Sequence, residues 1–112
     1  MTCESWEVVI VPFPFTDRST TKRRPALVLS QKRFNRHGHS ILAMITSATH
    51  EPWPGDTRLG DLAAAGLRRP CIVRLKIFTL DSRFILRRLG VLAAVDQRRV
   101  GAELAAHLAV AD

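Results

Sequence analysis

The chain has no tyrosine, only two cysteines, and only 10 acidic residues against 17 lysines and arginines in 112 residues. Each scarcity removes a class of protein. Cys3 and Cys71 are too few and too far apart for a disulfide framework, and neither has metal-ligand spacing. Cys71 reads as a small apolar strand residue and Cys3 as an ordinary thiol near a loose terminus. No apolar run approaches the roughly 18 residues that a bilayer-crossing helix needs. Met1 to Val11 lacks a basic start and is followed by Pro12 and Pro14, so neither a signal peptide nor a membrane segment is expected, and the expected location is the cytoplasm. Also missing are a GxxxxGKS/T phosphate loop, a GxGxxG turn after a strand and an HExxH zinc helix. No metal or cofactor is therefore expected.

What is present is a globular composition, 46% apolar and 24% charged. One domain over residues 1–112 is expected, burying about two-thirds of the surface that the unfolded chain exposes. A two-domain enzyme with its own cofactor fold is excluded. The formal charge of +7 is concentrated: Arg18 to Arg36 carries seven basic residues and no acid, and Arg68 to Arg99 carries nine against Asp81 and Asp96. Two basic segments on an acidic remainder fit a polyanionic ligand, either nucleic acid or an acidic protein. The plainer alternative is an arginine-rich, solvated face.

Val8 to Val11 is a β-branched run that suits a buried strand, with Pro12 and Pro14 restricting its exit. A polar loop is expected over Thr16 to Arg24, a second strand over Pro25 to Ser30, a surface bend over Gln31 to His39, and a third strand over Ser40 to Ser47. His50 to Asp56, with Pro52 and Pro54 around Trp53, is irregular, and Thr57 to Leu59 is a short strand. Asp61 to Gly66 has an acidic N-cap and a glycine stop, predicting one or two helical turns. Cys71 to Lys76 alternates apolar and basic residues, Ile77 to Leu80 and Phe84 to Leu92 add β segments, and Val100, Leu104 and Leu108 form the stripe of a terminal helix. Together they predict a mainly β domain: a small, strongly bent antiparallel sheet or partly closed barrel, with a short internal helix and a C-terminal helix.

By chemistry, His37 and His39 flank Gly38 in a turn with no third ligand in view, and His107 pairs with Glu103 one helical turn away. What remains is arginine with hydroxyl. Arg24 stands at the entry of the second strand, and Thr46 and Ser47 end the third, its expected neighbour. An arginine fork and a threonine hydroxyl on adjacent strand ends suit a phosphodiester whose oxygens gain charge. They equally suit a solvated charge and a turn former.

VVIVPFPFTD (Val8 to Asp17), KRRPALVLS (Lys22 to Ser30), FNR (Phe34 to Arg36), ILAMITS (Ile41 to Ser47), DLAAAGL and KIFTLD (Lys76 to Asp81) occur in the order found in PemK/MazF-type toxins of bacterial toxin–antitoxin pairs, which the chain resembles over nearly its whole length. The resemblance implies an SH3-like barrel, usually a homodimer, that cleaves single-stranded RNA, such as mRNA, without a metal. It implies 2′,3′-cyclic phosphate and 5′-hydroxyl ends, and neutralisation by an acidic antitoxin. Arg24 and Thr46 match the family's catalytic arginine and threonine, and Arg74 matches a second arginine at the scissile phosphate. Lys22, Arg23, Ser47, Trp53 and Lys76 are expected to contact substrate. Lys76 stands where some members carry an aspartate, which leaves Glu7, Asp17, His37, His39 and His50 as proton-acceptor candidates by residue type. Trp6-Glu7 replaces a common Gly-Asp opening, and Ala93 a helix-capping serine, which passes the cap or first-turn role to Asp96. Phe13, Phe15, Trp53 and Phe78 are the aromatics for base stacking, with Phe13 and Phe78 expected in the core. Two alternatives stay open on the same barrel: a non-catalytic nucleic-acid or protein-binding module, and a DNA gyrase poison.

Overall fold

The computed structural model describes residues 1–13 and 22–110. Of the loop expected over Thr16 to Arg24, residues 16–21, with Asp17, lie outside them, as does Phe15, whereas Lys22 to Arg24 are strand, because they pair with Phe13, Pro12 and Val11. Six strands form one sheet: β1 (Glu7–Phe13), β2 (Lys22–Val28), β3 (His39–Ser47), β4 (Thr57–Arg58), β5 (Cys71–Asp81) and β6 (Arg87–Val91). Their order is β4-β5-β3-β2-β1-β6 with every pairing antiparallel. The sheet curls into a half-barrel, as the strand pattern predicts.

Its curvature has an identifiable source. Ala43 faces Ile77 while the next residue, Met44, faces Arg74, so Leu75 and Lys76 are extra residues on β5. Such a bulge bends the strand and re-aims its side chains. It joins what the sequence suggests are two segments, residues 71–76 and 77–80, into one long strand.

Alternation sorts the strand residues onto two faces. Val8, Leu27, Ala43, Ile45 and Val73 pack with Leu59, Ala65, Leu92 and Val100. The last comes from α2 (Ala94–His107), which covers that face. Val9, Val11, Ala26, Val28 and Leu42 point to the other side and pack with Cys3, Leu80 and Ile85. Cys3 is therefore not a loose thiol: it is fully buried, and burial raises its pKa. Cys71 keeps its expected place as a half-buried strand residue.

Two local expectations change. The short helix, α1 (Lys32–Asn35), lies where a bend is expected, because the Asn35 amide donates to the Cys3 and Ser30 carbonyls and ties that turn to the N-terminus. Asp61 to Gly66 forms a single turn instead of a helix. Its caps are nonetheless as the sequence indicates, with the Ala64 amide donating to Asp61 and the Leu67 and Gly66 amides closing onto the Leu62 and Ala63 carbonyls. Gly66 has φ +73°, and a Cβ there would lie 2.2 Å from the Leu89 carbonyl oxygen.

Trp6 adopts φ 71°, a left-handed conformation costing a bulky residue about 1–2 kcal/mol. Its amide donates to the Val28 carbonyl, its carbonyl accepts from the Leu92 amide, and its ring packs on the core beneath α2. Asp96 sits in the first turn of α2 but caps a different segment. It is fully buried and accepts from the Gly60 and Asp61 amides at 2.9 Å. Gln97 reaches back to the Leu92 carbonyl.

Candidate functional site

The apolar packing on the second face stops partway along the sheet, and a groove of about 280 Å³ takes its place, lined by Phe13, Arg24, Thr46, His50, Arg74 and Lys76 over a floor of Met44 and Ile45. Register explains the assembly. Val11 faces Arg24 across β1 and β2. Ala26 faces Met44 across β2 and β3, where that ladder ends, and Arg24 and Thr46 each lie two residues beyond that pair. Met44 in turn faces Arg74 on β5. Residues two apart on a strand share a face, so Arg24, Thr46 and Arg74 project together. Lys76 arrives from the bulge, with its ammonium 5.8 Å from the ring centres of Phe13 and Trp53.

The same alternation separates Arg23 and Ser47 from this group. Each is one residue out of step with a groove residue and points to the opposite face, and Ser47 Oγ bonds Thr49 Oγ1 at 2.9 Å. Lys22 lies on the Arg24 face beyond the groove lining, exposed and paired with Phe13. Phe78 packs on the core as expected, whereas Phe13 is half-buried at the groove wall.

Arg74 is largely withdrawn from solvent. Its Nε and Nη2 donate to the Asp56 carboxylate at 3.2 and 3.0 Å, Nη2 also donates to the Glu51 carbonyl at 2.6 Å, and the guanidinium lies 4.7 Å from the Trp53 ring centre. The Trp53 amide closes the cluster with a 2.8 Å bond to Asp56. Burial pushes the Asp56 carboxyl up, but the Arg74 hydrogen bonds, the Trp53 amide and the Arg74 charge outweigh it and hold it below the usual carboxylate range. The hydrogen bond with Asp56 raises the Arg74 guanidinium above its ordinary value. Asp56 has no sequence signature. Thr57 pairs with Val73, and the residue before Thr57 necessarily meets the residue after Val73.

His50 also enters the groove, its Nδ1 lying 2.9 Å from Thr46 Oγ1 and 3.1 Å from the Ser47 carbonyl oxygen. Glu7 does not enter: it is buried in an ion pair with Arg88. His37 and His39 line a separate cavity beside Asp81 and Arg83. Among the described residues no three His, Cys, Asp or Glu side chains cluster as metal ligands, and no helix is long and apolar enough to cross a membrane.

The two basic segments thus converge, but through few of their members. Arg24 comes from the first, Arg74 and Lys76 from the second. Arg83, Arg88 and Arg99 are paired with Asp81, Glu7 and Asp96.

Residues 4–108 match the family described as PemK-like, MazF-like toxins of type II toxin–antitoxin systems. The chain belongs to this family. Among solved structures, the MazE–MazF complex of Deinococcus radiodurans (form III) superposes with a TM-score of 0.79 at 22% identity, covering 99% of this chain and 100% of that one. An endoribonuclease in complex with its cognate antitoxin from Mycobacterial species gives 0.77 at 17% identity, covering 98% of both chains. The Mycobacterium tuberculosis toxin MazF-mt6 gives 0.70 at 21%, covering 89% of this chain and 93% of that one. A comparison with curated proteins returns no match. The half-barrel is therefore the MazF fold, and the groove residues Arg24, Thr46 and Arg74 are those that the family resemblance singles out in the sequence.

Proposed function

We propose that this MazF-like toxin is a metal-independent endoribonuclease that cleaves single-stranded RNA by attack of a 2′-hydroxyl on the adjacent phosphorus. The observation that carries the reading is the meeting of Arg24, Thr46 and Lys76 in one groove beside an exposed tryptophan. As the 2′-oxygen bonds to phosphorus and the 5′-oxygen departs, negative charge builds on the non-bridging oxygens. The Arg24 fork answers that charge with paired donors, Thr46 adds a hydroxyl donor, and Lys76 adds a point charge. An arginine holds its proton too firmly to act as a base, so Arg24 stabilises and positions. Arg74 borders the phosphate position while its bonds to Asp56 and Glu51 hold the Trp53 segment against the sheet. Trp53 is 45% exposed and offers a ring face to a splayed base. Lys22, Arg23 and Ser47 lie outside this constellation, and their contribution in this reading is to flanking nucleotides.

The same cationic groove suits an acidic antitoxin segment, which would exclude RNA by occupying it. In this reading the working form is a homodimer, checked by light scattering of the purified chain. The gyrase and binding-module alternatives have no structural observation in their favour.

The deciding experiment incubates mixed-sequence RNA with the protein in EDTA and maps the ends. Defined cuts bearing 2′,3′-cyclic phosphates are expected. Arg24→Ala and Thr46→Ala should each lower cleavage by about 10²–10³-fold, the range for loss of one preorganised donor, with circular dichroism unchanged. RNA that is bound but left intact would instead identify a binding module, and equal cleavage by the variants would refute the site.

A further inference from the structure

Removal of the 2′-hydroxyl proton is the step for which Arg24 and Thr46 supply no chemistry. The other cations at the groove, Arg74 and Lys76, offer donors and no lone pair. The Asp56 carboxylate is taken up by Arg74 and the Trp53 amide. His50 alone among the described lining residues carries a nitrogen that can accept a proton.

Its contacts favour one of the ring's two nitrogens. Nδ1 lies 3.1 Å from the Ser47 carbonyl oxygen, which can only accept. Donation from Nδ1 to that carbonyl leaves the lone pair of the neutral ring on Nε2. No described residue bonds Nε2, and the ring is exposed at the groove wall. The Nδ1 hydrogen also reaches Thr46 Oγ1 at 2.9 Å, which turns the hydrogen of the Thr46 hydroxyl outward, where a phosphate oxygen can receive it. One imidazole thus contacts the threonine through Nδ1 and lines the same groove with a second nitrogen that no described residue bonds. The charged groups facing it are Arg24 from β2 and Arg74 and Lys76 from β5.

We propose that His50 is the proton acceptor of the cleavage reaction, an inference that rests on the endoribonuclease reading above. Nε2 takes the proton as the 2′-oxygen bonds to phosphorus and the bond from phosphorus to the 5′-oxygen breaks. The proton then passes from Nε2 to the 5′-oxygen, directly or through a water. The products are a 2′,3′-cyclic phosphate and a 5′-hydroxyl, with the imidazole returned to its starting form.

The test uses the full chain and an oligoribonucleotide spanning one mapped cut. His50→Asn keeps an amide donor for Ser47 and Thr46 but has no basic nitrogen. The cleavage rate should fall about 10²–10⁴-fold, as for loss of general base catalysis, while affinity for the 2′-O-methyl analogue of the same oligonucleotide is retained. His50→Ala should lose as much and recover part of it when imidazole is added to the buffer. A wild-type rate in His50→Asn, alongside an inactive Arg24→Ala, overturns the base assignment and leaves the endoribonuclease standing. Loss of analogue binding without imidazole rescue assigns His50 a structural role and also overturns it. RNA left intact by the wild-type protein overturns both readings.

Discussion

Removing the Asp56 carboxylate tests whether the Arg74 cluster holds the groove wall in place. Both side chains are 11% exposed, and three hydrogen bonds converge on the carboxylate, two from Arg74 and one from the Trp53 amide. Deleting one partner of a fully buried ion pair costs about 3–5 kcal/mol, chiefly because the other charge is left uncompensated. In Asp56→Ala, Arg74 keeps the Glu51 carbonyl and the Trp53 ring and borders the open groove, which places the loss near the lower bound, about 3 kcal/mol. At about 2.1 cal/mol/K of unfolding entropy per residue, that lowers Tm by roughly 12 °C for a domain of this size. Thermal melts followed by circular dichroism read it directly, and a double-mutant cycle with Arg74→Met isolates the pairwise part.

The acid limb adds a signature. The Asp56 pKa is depressed in the folded state, so its contribution is complete above the ordinary carboxylate value of about 3.9 and fades as pH falls through the depressed one. The Tm gap between wild type and Asp56→Ala should hold at neutral pH and narrow below about pH 4. A gap under about 2 °C at pH 7, half of what 1 kcal/mol produces, or a coupling energy near zero, would refute the argument that this pair secures the wall.

Two further outcomes follow from the geometry. Gly66→Ala sets a Cβ against the Leu89 carbonyl at a left-handed φ and should destabilise by about 1–3 kcal/mol, read from urea midpoints; a midpoint equal to that of the wild type would show that the turn can move off β6. Trp53→Ala should weaken binding of a 2′-O-methyl oligonucleotide by about 1–3 kcal/mol, the worth of one stacked base, and unchanged affinity would remove Trp53 from the recognition surface.

Several features were legible because they depend on neighbours in sequence. The β-branched run at Val8 to Val11, the Asp61 and Gly66 caps and the Val100 and Leu104 contacts of the last helix need only local chemistry; Leu108, expected in the same stripe, lies past the helix end and is exposed. Arg24 and Thr46 were legible through the family motifs KRRPALVLS and ILAMITS. The helix at Lys32 to Asn35 was not, because its tie is a side-chain bond from Asn35 to Cys3 and Ser30, remote in sequence or outside the turn. Phe13 was expected in the core and lies at the groove wall, because the apolar packing on its face ends two residues earlier, at Val11. Asp96 was read as a helix-start acid, and its carboxylate serves the Gly60 and Asp61 amides of a loop that only folding brings to it.

The amino-acid sequence by itself determined most of the strands and the terminal helix, the excess of positive charge and, through its ordered motifs, the toxin family. It could not determine which cations share a site, since composition counts Arg23 and Arg24 alike while a pleated strand turns them to opposite faces. Strand register decided that Arg24, Thr46 and Arg74 align, and the β5 bulge sends Lys76 to join them. Pairing of Thr57 with Val73 delivers Asp56 to Arg74, and the turn after β3 carries His50 back onto Thr46. Those meetings arise from hydrogen-bond ladders between segments distant along the chain, which is why only the tertiary structure turns a basic protein into one with a particular groove.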